Sequence, residues 1–89
     1  MPYINKMSRE ELDEELQVLI YIMKSKGVCG VGECNYVITA LLKGVLDPSS
    51  YTEYNSVIGV LECAKLEFYR RAVSVYEDKK IIENGDVYT

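Results

Sequence analysis

Residues 51–77 read YTEYNSVIGVLECAKLEFYRRAVSVYE, and this stretch decides the fold. Apolar side chains recur in it every three or four positions, which is the spacing of one face of an α-helix. They are Tyr54, Val57, Ile58, Leu61, Ala64, Phe68, Ala72 and Val75. Only Gly59 interrupts the pattern, and at 1.5 Å per residue the helix would be roughly 40 Å long. The stretch therefore predicts one long helix in the C-terminal half.

The residues before this helix mark its first turn. Pro48 cannot continue a preceding helix, because it lacks an N–H group and its ring clashes with the turn before it. Ser50 and Glu53 have the spacing of a capping box, in which each side chain accepts the backbone N–H group of the other residue. We therefore predict a third helix over residues 50–75.

A first helix is predicted over residues 8–26. Ser8 and Glu11 have capping-box spacing, while Met7 and Leu12 flank them as a hydrophobic staple. The acids of EELDEE would lie near the helix N-terminus, where the helix dipole stabilises negative charge. Gly27 is expected to end this helix.

A second helix is predicted over residues 33–45, because apolar residues recur with helical period in ECNYVITALLKGVL. The glycine-rich GVCGVGE before it is reminiscent of a phosphate-binding loop. It lacks the preceding strand, the Gly-Lys-Ser/Thr ending and the GxGxxG order that such loops need. We interpret it as a connection between two helices.

The chain closes with KKIIENGDVYT, in which Asn84-Gly85 is compatible with two structures. The pair favours the tight turn of a β-hairpin, and it equally favours the end of a helix, where Gly adopts a positive φ. Because an isolated hairpin is marginal in water and helical spacing continues up to the pair, we favour a last helix over residues 76–84. Val87 and Tyr88 would then turn back and pack beside it.

Length and composition indicate a single helical domain spanning residues 1–89, with 48% hydrophobic and 27% charged residues. The predicted fold class is all-α, a small bundle of three to four helices with an ordered C-terminal tail. A domain of this size leaves much of its surface in water, so its own core gives marginal stability. The eight tyrosines exceed what a small core needs, and tyrosine is favoured at interfaces. We expect a homo-oligomer.

The net charge and the residue types disfavour duplex DNA, metal ions and membranes as partners. The net charge of −4 disfavours duplex DNA, which is bound through cationic side chains. There is no histidine, and Cys29, Cys34 and Cys63 lack the paired spacing of zinc ligands, so we expect no metal and no cofactor. No apolar run approaches the roughly 20 residues of a membrane span. Together with the odd cysteine count, this predicts a cytoplasmic protein without membrane contact.

A ligand-binding surface is predicted where the basic residues cluster, between residues 65 and 80. Guanidinium groups bind phosphate bidentately and tyrosine rings stack on bases. Tyr69, Tyr76 and Lys80 would share one helical face. The predicted ligand-binding residues are Asn35, Tyr36, Tyr69, Arg70, Arg71, Tyr76, Lys80, Asp86 and Tyr88. In the alternative interpretation, Glu67 holds one of the two arginines in an ordinary intrahelical salt bridge.

Three segments, NYVIT, VIGVLECAKLEFYRR and YEDKKIIENGDVY, make the chain resemble a family of small uncharacterised proteins of tailed phages and bacteria, many of which also open with MPYI. The resemblance covers nearly the whole chain. It implies a phage or prophage origin and a host cytoplasm as the place of action, but no activity. The family's segments map onto Asn35, Tyr36, Glu62, Arg70, Arg71, Tyr76, Glu77, Asp78, Asn84, Gly85, Asp86 and Tyr88. Relatives often carry a proline near the position of Val75, which this chain lacks, so a helix boundary there stays open.

Two functions are compatible with these features. Without histidine the usual serine and cysteine triads cannot form, and we do not expect an enzyme. We expect a homo-oligomer that sequesters a nucleotide-type immune signalling molecule of the bacterial host, which is an anti-defence activity. The alternative is a protein–protein interaction module that inhibits or adapts a host or phage protein, with the acidic EELDEEL imitating nucleic acid.

Overall fold

The computed structural model describes residues 2–25 and 30–88. Every regular element in these ranges is helical and none is a strand, which confirms the predicted all-α class. Helix α1 is Lys6–Ser25 and α2 is Val31–Leu46. One uninterrupted helical region comes after them, made of α3 (Tyr51–Phe68), a π-helical turn (Tyr69–Val73) and α4 (Ser74–Asn84). The predicted end of the first helix at Gly27 lies outside the described residues.

The contacts divide the chain into two units. The N-terminal unit comprises residues 3–57 and contains α1, α2 and the start of α3. The C-terminal unit comprises residues 58–88 together with Pro2, and contains the rest of α3, the π turn, α4 and the tail.

No described residue is buried in either unit. The most protected apolar side chains are half-buried, and they include Leu19, Met23, Val37, Leu42, Val57 and Val73. Apart from Val57, the residues of the predicted long seam are exposed, among them Tyr54, Ile58 and Phe68. The described helices are thus amphipathic in sequence, while their apolar faces remain in contact with water.

Helix α1 begins earlier than its capping-box pattern predicts. The side-chain oxygen of Asn5 accepts the backbone N–H of Ser8 at 2.9 Å, and its carbonyl accepts the N–H of Arg9 at 3.1 Å. Asn5 is therefore the N-cap, and the prediction of Ser8 is wrong. Asparagine is as favourable an N-cap as serine. The helix therefore begins after Asn5, the first of these two residues in the chain.

Because α1 begins at Lys6, the helix dipole does not explain why acidic residues are concentrated at residues 10–15. The first turn of α1 contains no acidic residue, and the favourable effect of the dipole on negative charge falls off within that turn. The acids of residues 10–15 lie beyond it and are exposed to solvent. One weak ion pair is present there, between Lys6 and Glu10 at 3.9 Å. Helix initiation therefore does not account for this concentration of negative charge.

The start of α3 matches its prediction closely. The hydroxyl of Ser50 accepts the backbone N–H of Glu53 at 3.2 Å. In return, Glu53 accepts the N–H of Ser49 at 2.7 Å and its hydroxyl at 3.3 Å, so the reciprocal bond falls one residue earlier than in a standard box. The backbone hydrogen bond from Ser49 is the main cause that lowers the pKa of Glu53.

The long helix does not break near Val75. It instead accommodates a π turn, in which the N–H of Ser74 donates to the carbonyl of Tyr69 five residues earlier. A proline at position 75 would have removed backbone N–H donation there, but valine keeps it and the helix continues. The predicted division into helices 50–75 and 76–84 is thus replaced by one continuous helical region that ends at Asn84.

Asn84-Gly85 ends the last helix and does not form a hairpin turn. Gly85 has φ 91°, and its N–H donates to the carbonyl of Ile81 at 2.8 Å. The predicted packing of the tail beside the helix is wrong. Val87 and Tyr88 are 92% and 97% exposed, because Asp86 accepts the N–H of Tyr88 at 2.8 Å and bends the tail locally.

The cap of α1 can be tested with a pair of alanine substitutions. Asn5→Ala should lower the free energy of unfolding by about 1 kcal/mol, since alanine cannot accept the orphan N–H group. Ser8→Ala should have little effect, because the cap uses the backbone N–H of Ser8, which alanine keeps. Urea unfolding followed by circular dichroism at one protein concentration measures both. A larger loss for Ser8→Ala would contradict the assignment.

The helix end can be tested with two glycines. Gly85→Ala should destabilise the protein by about 1–2 kcal/mol, because a positive φ is strained for a residue with a Cβ. Gly59→Ala should stabilise it by about 0.5–1 kcal/mol, because Gly59 lies inside α3 and a Cβ there meets open space. Thermal unfolding of both variants gives the comparison. Equal melting temperatures would refute the strain at Gly85.

Candidate functional site

The two units divide the predicted ligand-binding residues between them. Asn35 and Tyr36 lie on α2 in the N-terminal unit. The other seven lie in the C-terminal unit, and they are Tyr69, Arg70, Arg71, Tyr76, Lys80, Asp86 and Tyr88.

Tyr69 is held by Glu77 across the π turn. Its hydroxyl donates to Oε1 of Glu77 at 2.6 Å. In an α-helix, residues eight apart point about 80° away from each other. A π turn accommodates one extra residue and rotates the residues after it by about 100°, which brings this pair onto one side. Uninterrupted α-helical spacing would place Tyr69, Tyr76 and Lys80 on one face. The π turn therefore moves Tyr69 away from the face of the other two residues.

The same contact changes the acidity of Tyr69. The hydrogen bond to Glu77 and the charge of that carboxylate raise the pKa of Tyr69 above its ordinary 10.0. A tyrosine whose pKa is raised on folding stabilises the folded state fully below its unfolded pKa. That contribution is lost as the pH rises through the folded pKa. The π turn should consequently be weakened only in strongly alkaline solution.

The two arginines have different surroundings. Arg70 donates from Nη2 to Oε1 of Glu67 at 2.7 Å, as predicted for an i, i+3 pair. The Glu67 side chain is only 22% exposed, so this pair is partly screened from water. Arg71 forms no ion pair with any described residue. Of the two guanidinium groups, that of Arg71 is the one available to an incoming anion.

Tyr76 and Lys80 form a pair on α4. The Lys80 ammonium lies 5.5 Å from the centre of the Tyr76 ring, within the range of a cation–π interaction. The same ammonium is 3.0 Å from Glu83. The cation is therefore held over an exposed aromatic ring, an arrangement that can offer charge and a stacking surface to one ligand.

A shallow groove of about 300 Å³ lies between α4 and the tail. It brings together three predicted residues, Lys80, Asp86 and Tyr88, and the other lining residues are Glu77, Ile81, Asn84, Gly85 and Val87. The lining contains two carboxylates, Glu77 and Asp86, and one ammonium, Lys80, so its net charge is negative. The groove is thus poorly suited to phosphate.

A second groove of about 290 Å³ lies within the N-terminal unit and was not predicted. Its lining residues are all uncharged: Leu19, Tyr36, Val37, Ala40, Leu41, Gly44 and Val45. Tyr36 is the one predicted residue in it, whereas Asn35 accepts a hydrogen bond from Thr39 at 3.3 Å. The sequence signal for this groove is the pair Ala40 and Gly44, small residues four apart on one helix face.

Two of the three cysteines lie in the described part of the chain. Cys34 is half-buried and Cys63 is exposed, while Cys29 lies outside the described residues. The described Cys, Asp and Glu side chains nowhere gather in threes as a metal site would require. None of the described helices has the length and hydropathy of a membrane span.

Comparison with known proteins identifies the family. A family described as a domain of unknown function (DUF6899) matches residues 1–87. The chain belongs to this family. No match was found among curated proteins or among solved structures. The DUF6899 match includes every predicted site residue except Tyr88, which lies one position beyond it.

The contact between Tyr69 and Glu77 can be tested by titration. In protein labelled on the tyrosine rings, Tyr69 should deprotonate above its ordinary pKa of 10.0. Glu77→Gln should bring the pKa of Tyr69 back toward that value, because the charge and the strong acceptor are lost. Glu83→Gln is the matched control, since Glu83 pairs with Lys80. An unchanged Tyr69 titration in Glu77→Gln would refute the contact.

Proposed function

We propose that this DUF6899 protein is a non-enzymatic, homo-oligomeric binding protein that sequesters a nucleotide-type immune signalling molecule of a bacterial host. The observation that carries the oligomeric part is that no described residue is buried in a single chain. The ligand is suggested by the ammonium of Lys80, which lies over the exposed ring of Tyr76, and by the guanidinium of Arg71 earlier on the same helical region.

The exposed apolar side chains support association. Large apolar side chains of the described helices, such as Leu12, Ile58 and Phe68, are more than half exposed. Exposed apolar surface on this scale is favourable only if another protein surface removes it from water.

The proposed ligand surface comprises three residues. Tyr69 and Arg70 are left out, because Tyr69 donates to Glu77 across the π turn and Arg70 is paired with the partly screened Glu67. Lys80 is paired with Glu83, whose side chain is more exposed, and a ligand phosphate would displace that carboxylate. Arg71, Tyr76 and Lys80 lie within nine residues of each other, about 14 Å along the helix axis. Arginine can bind a phosphate bidentately while tyrosine stacks on a base, and both are features of a nucleotide.

The biological setting is proposed from the resemblance to phage and bacterial proteins. A small protein that acts early in infection gains speed by withholding a signal stoichiometrically, since it needs no catalytic machinery. The absence of histidine agrees with that mode of action. We accordingly propose a phage-type anti-defence protein that works in the host cytoplasm.

A protein–protein interaction module remains the second candidate, and one structural observation favours it. The acids of residues 10–15 are exposed and lie beyond the first turn of α1, so helix initiation does not explain them. A dense negative strip can imitate nucleic acid toward a basic host or phage protein through charge complementarity.

Ligand binding can be tested by thermal unfolding with cyclic dinucleotides, cyclic trinucleotides and ADP-ribose derivatives at saturating concentration. At 100 times its Kd, a ligand stabilises the state that it binds by about 2.7 kcal/mol. Arg71→Ala and Lys80→Ala should each weaken binding by roughly tenfold or more. Lys79→Ala is the matched control, a neighbouring cation outside the proposed surface.

Two outcomes decide between the candidates. No change in melting temperature with any of these nucleotides would overturn nucleotide sequestration. A stoichiometric host protein recovered with the purified chain, and lost when the acids of residues 10–15 are neutralised, would support the interaction module.

A further inference from the structure

The C-terminal unit contains an apolar stripe with seven-residue spacing, made of Leu61, Phe68, Val75 and Ile82. In an uninterrupted α-helix, residues seven apart lie within about 20° of each other, so these side chains would share one face. The π turn lies between Phe68 and Val75, and it rotates the later residues by about 100°. The stripe is therefore broken at the turn, and its side chains are 38% to 85% exposed.

A second group of residues also has α-helical spacing across the turn. Tyr69 and Tyr76 are seven residues apart and Lys80 follows four residues later, so an α-helix would place them within about 40° of one another. Glu77 would point about 80° away from Tyr69, and it contacts Tyr69 only because the π turn rotates it. Two groups of residues thus fit the α-helical register, whereas the contact between Tyr69 and Glu77 fits the π register.

Packing does not fix the register of this helical region. None of the described residues from 58 to 88 is buried, so no core side chain would have to move if α4 rotated. The backbone change is equally local. In the π turn the N–H of Ser74 donates to the carbonyl of Tyr69, and in an α-helix it would donate to the carbonyl of Arg70. Local contacts can therefore decide between the two registers.

We propose that residues 69–77 form a register switch, which the hydrogen bond between Tyr69 and Glu77 holds in the π state. Release of this bond converts the turn to α-helix and rotates α4 by about 100° relative to α3. π turns inside α-helices are rare and are frequent at functional sites, which agrees with such a device. The switch involves the long helical region alone, and it requires neither the ligand nor the oligomer of the proposed function.

The two states present different surfaces. In the α state the apolar stripe from Leu61 to Ile82 is continuous, and Tyr69 lies on the face of Tyr76 and Lys80. In the π state the stripe is divided, and Tyr69 is turned toward Glu77. A binding partner shifts such an equilibrium only if it contacts the two states differently, and these surfaces supply that difference.

Couplings across hydrogen bonds, measured by NMR in isotope-labelled full-length protein, report the register directly. The backbone nitrogen of Ser74 couples to the carbonyl carbon whose oxygen accepts its N–H. That carbon belongs to Tyr69 in the π state and to Arg70 in the α state. The wild-type protein should show the coupling to Tyr69.

Two substitutions each remove one side of the contact that holds the π state. Tyr69→Phe removes the hydroxyl donor and keeps the ring, whereas Glu77→Ala removes the carboxylate acceptor. Neither substitution lowers helix propensity appreciably. Tyr76→Phe and Glu83→Ala are the matched controls, since they remove the same groups from residues that contact Lys80 instead. Circular dichroism verifies that every variant is helical.

In Tyr69→Phe and in Glu77→Ala, the coupling from Ser74 to Tyr69 should weaken and a coupling to Arg70 should appear. Both controls should keep the wild-type coupling. An unchanged coupling in either of the two test variants would overturn the switch, because both lose the same hydrogen bond. An equal change in the controls would overturn the role of the contact.

Two further results would also contradict the proposal. Loss of both couplings in a test variant would show that the turn unfolds, whereas the switch requires a helix in each state. A wild-type protein in which Ser74 couples to Arg70 alone would show that the contact does not hold the π state.

Discussion

The helices of this chain carry more apolar surface than a single copy covers, and the other features depend on that imbalance. Hydrophobic residues make up 48% of the sequence, yet no described residue is buried. Burial of apolar surface is the main favourable contribution to folding, and most helical stability in proteins comes from packing an amphipathic face. Association with another protein surface would remove these apolar faces from water, which is why it stands at the centre of the proposed function.

Local polar contacts decide where these helices begin and end. Backbone groups that would otherwise lack partners are satisfied by Asn5, Ser50, Glu53 and Gly85. Such contacts involve residues within a few positions of each other, so they form without a tertiary core. They explain how elements with exposed faces can still have defined ends, and how a tail of three residues can be held in one conformation.

The π turn connects the fold to the candidate ligand surface. By rotating α4 relative to α3, it directs Tyr69 to Glu77 and leaves Tyr76 with Lys80. Tyr69 therefore does not share a surface with Tyr76 and Lys80. Two tyrosines that are seven residues apart acquire different roles, one in supporting the turn and the other in facing solvent.

The sequence by itself determined the all-α class, the long helix, the cap at Ser50 and the helix end at Asn84, because each depends on spacing within a few residues. It did not determine the choice of Asn5 over Ser8, since both residues are competent caps. Only the tertiary structure decided the π turn, the partner of Tyr69 and the exposure of Val87 and Tyr88. A π turn shifts the register of every later residue, and exposure depends on which groups pack against a side chain, so neither can be derived from periodicity alone.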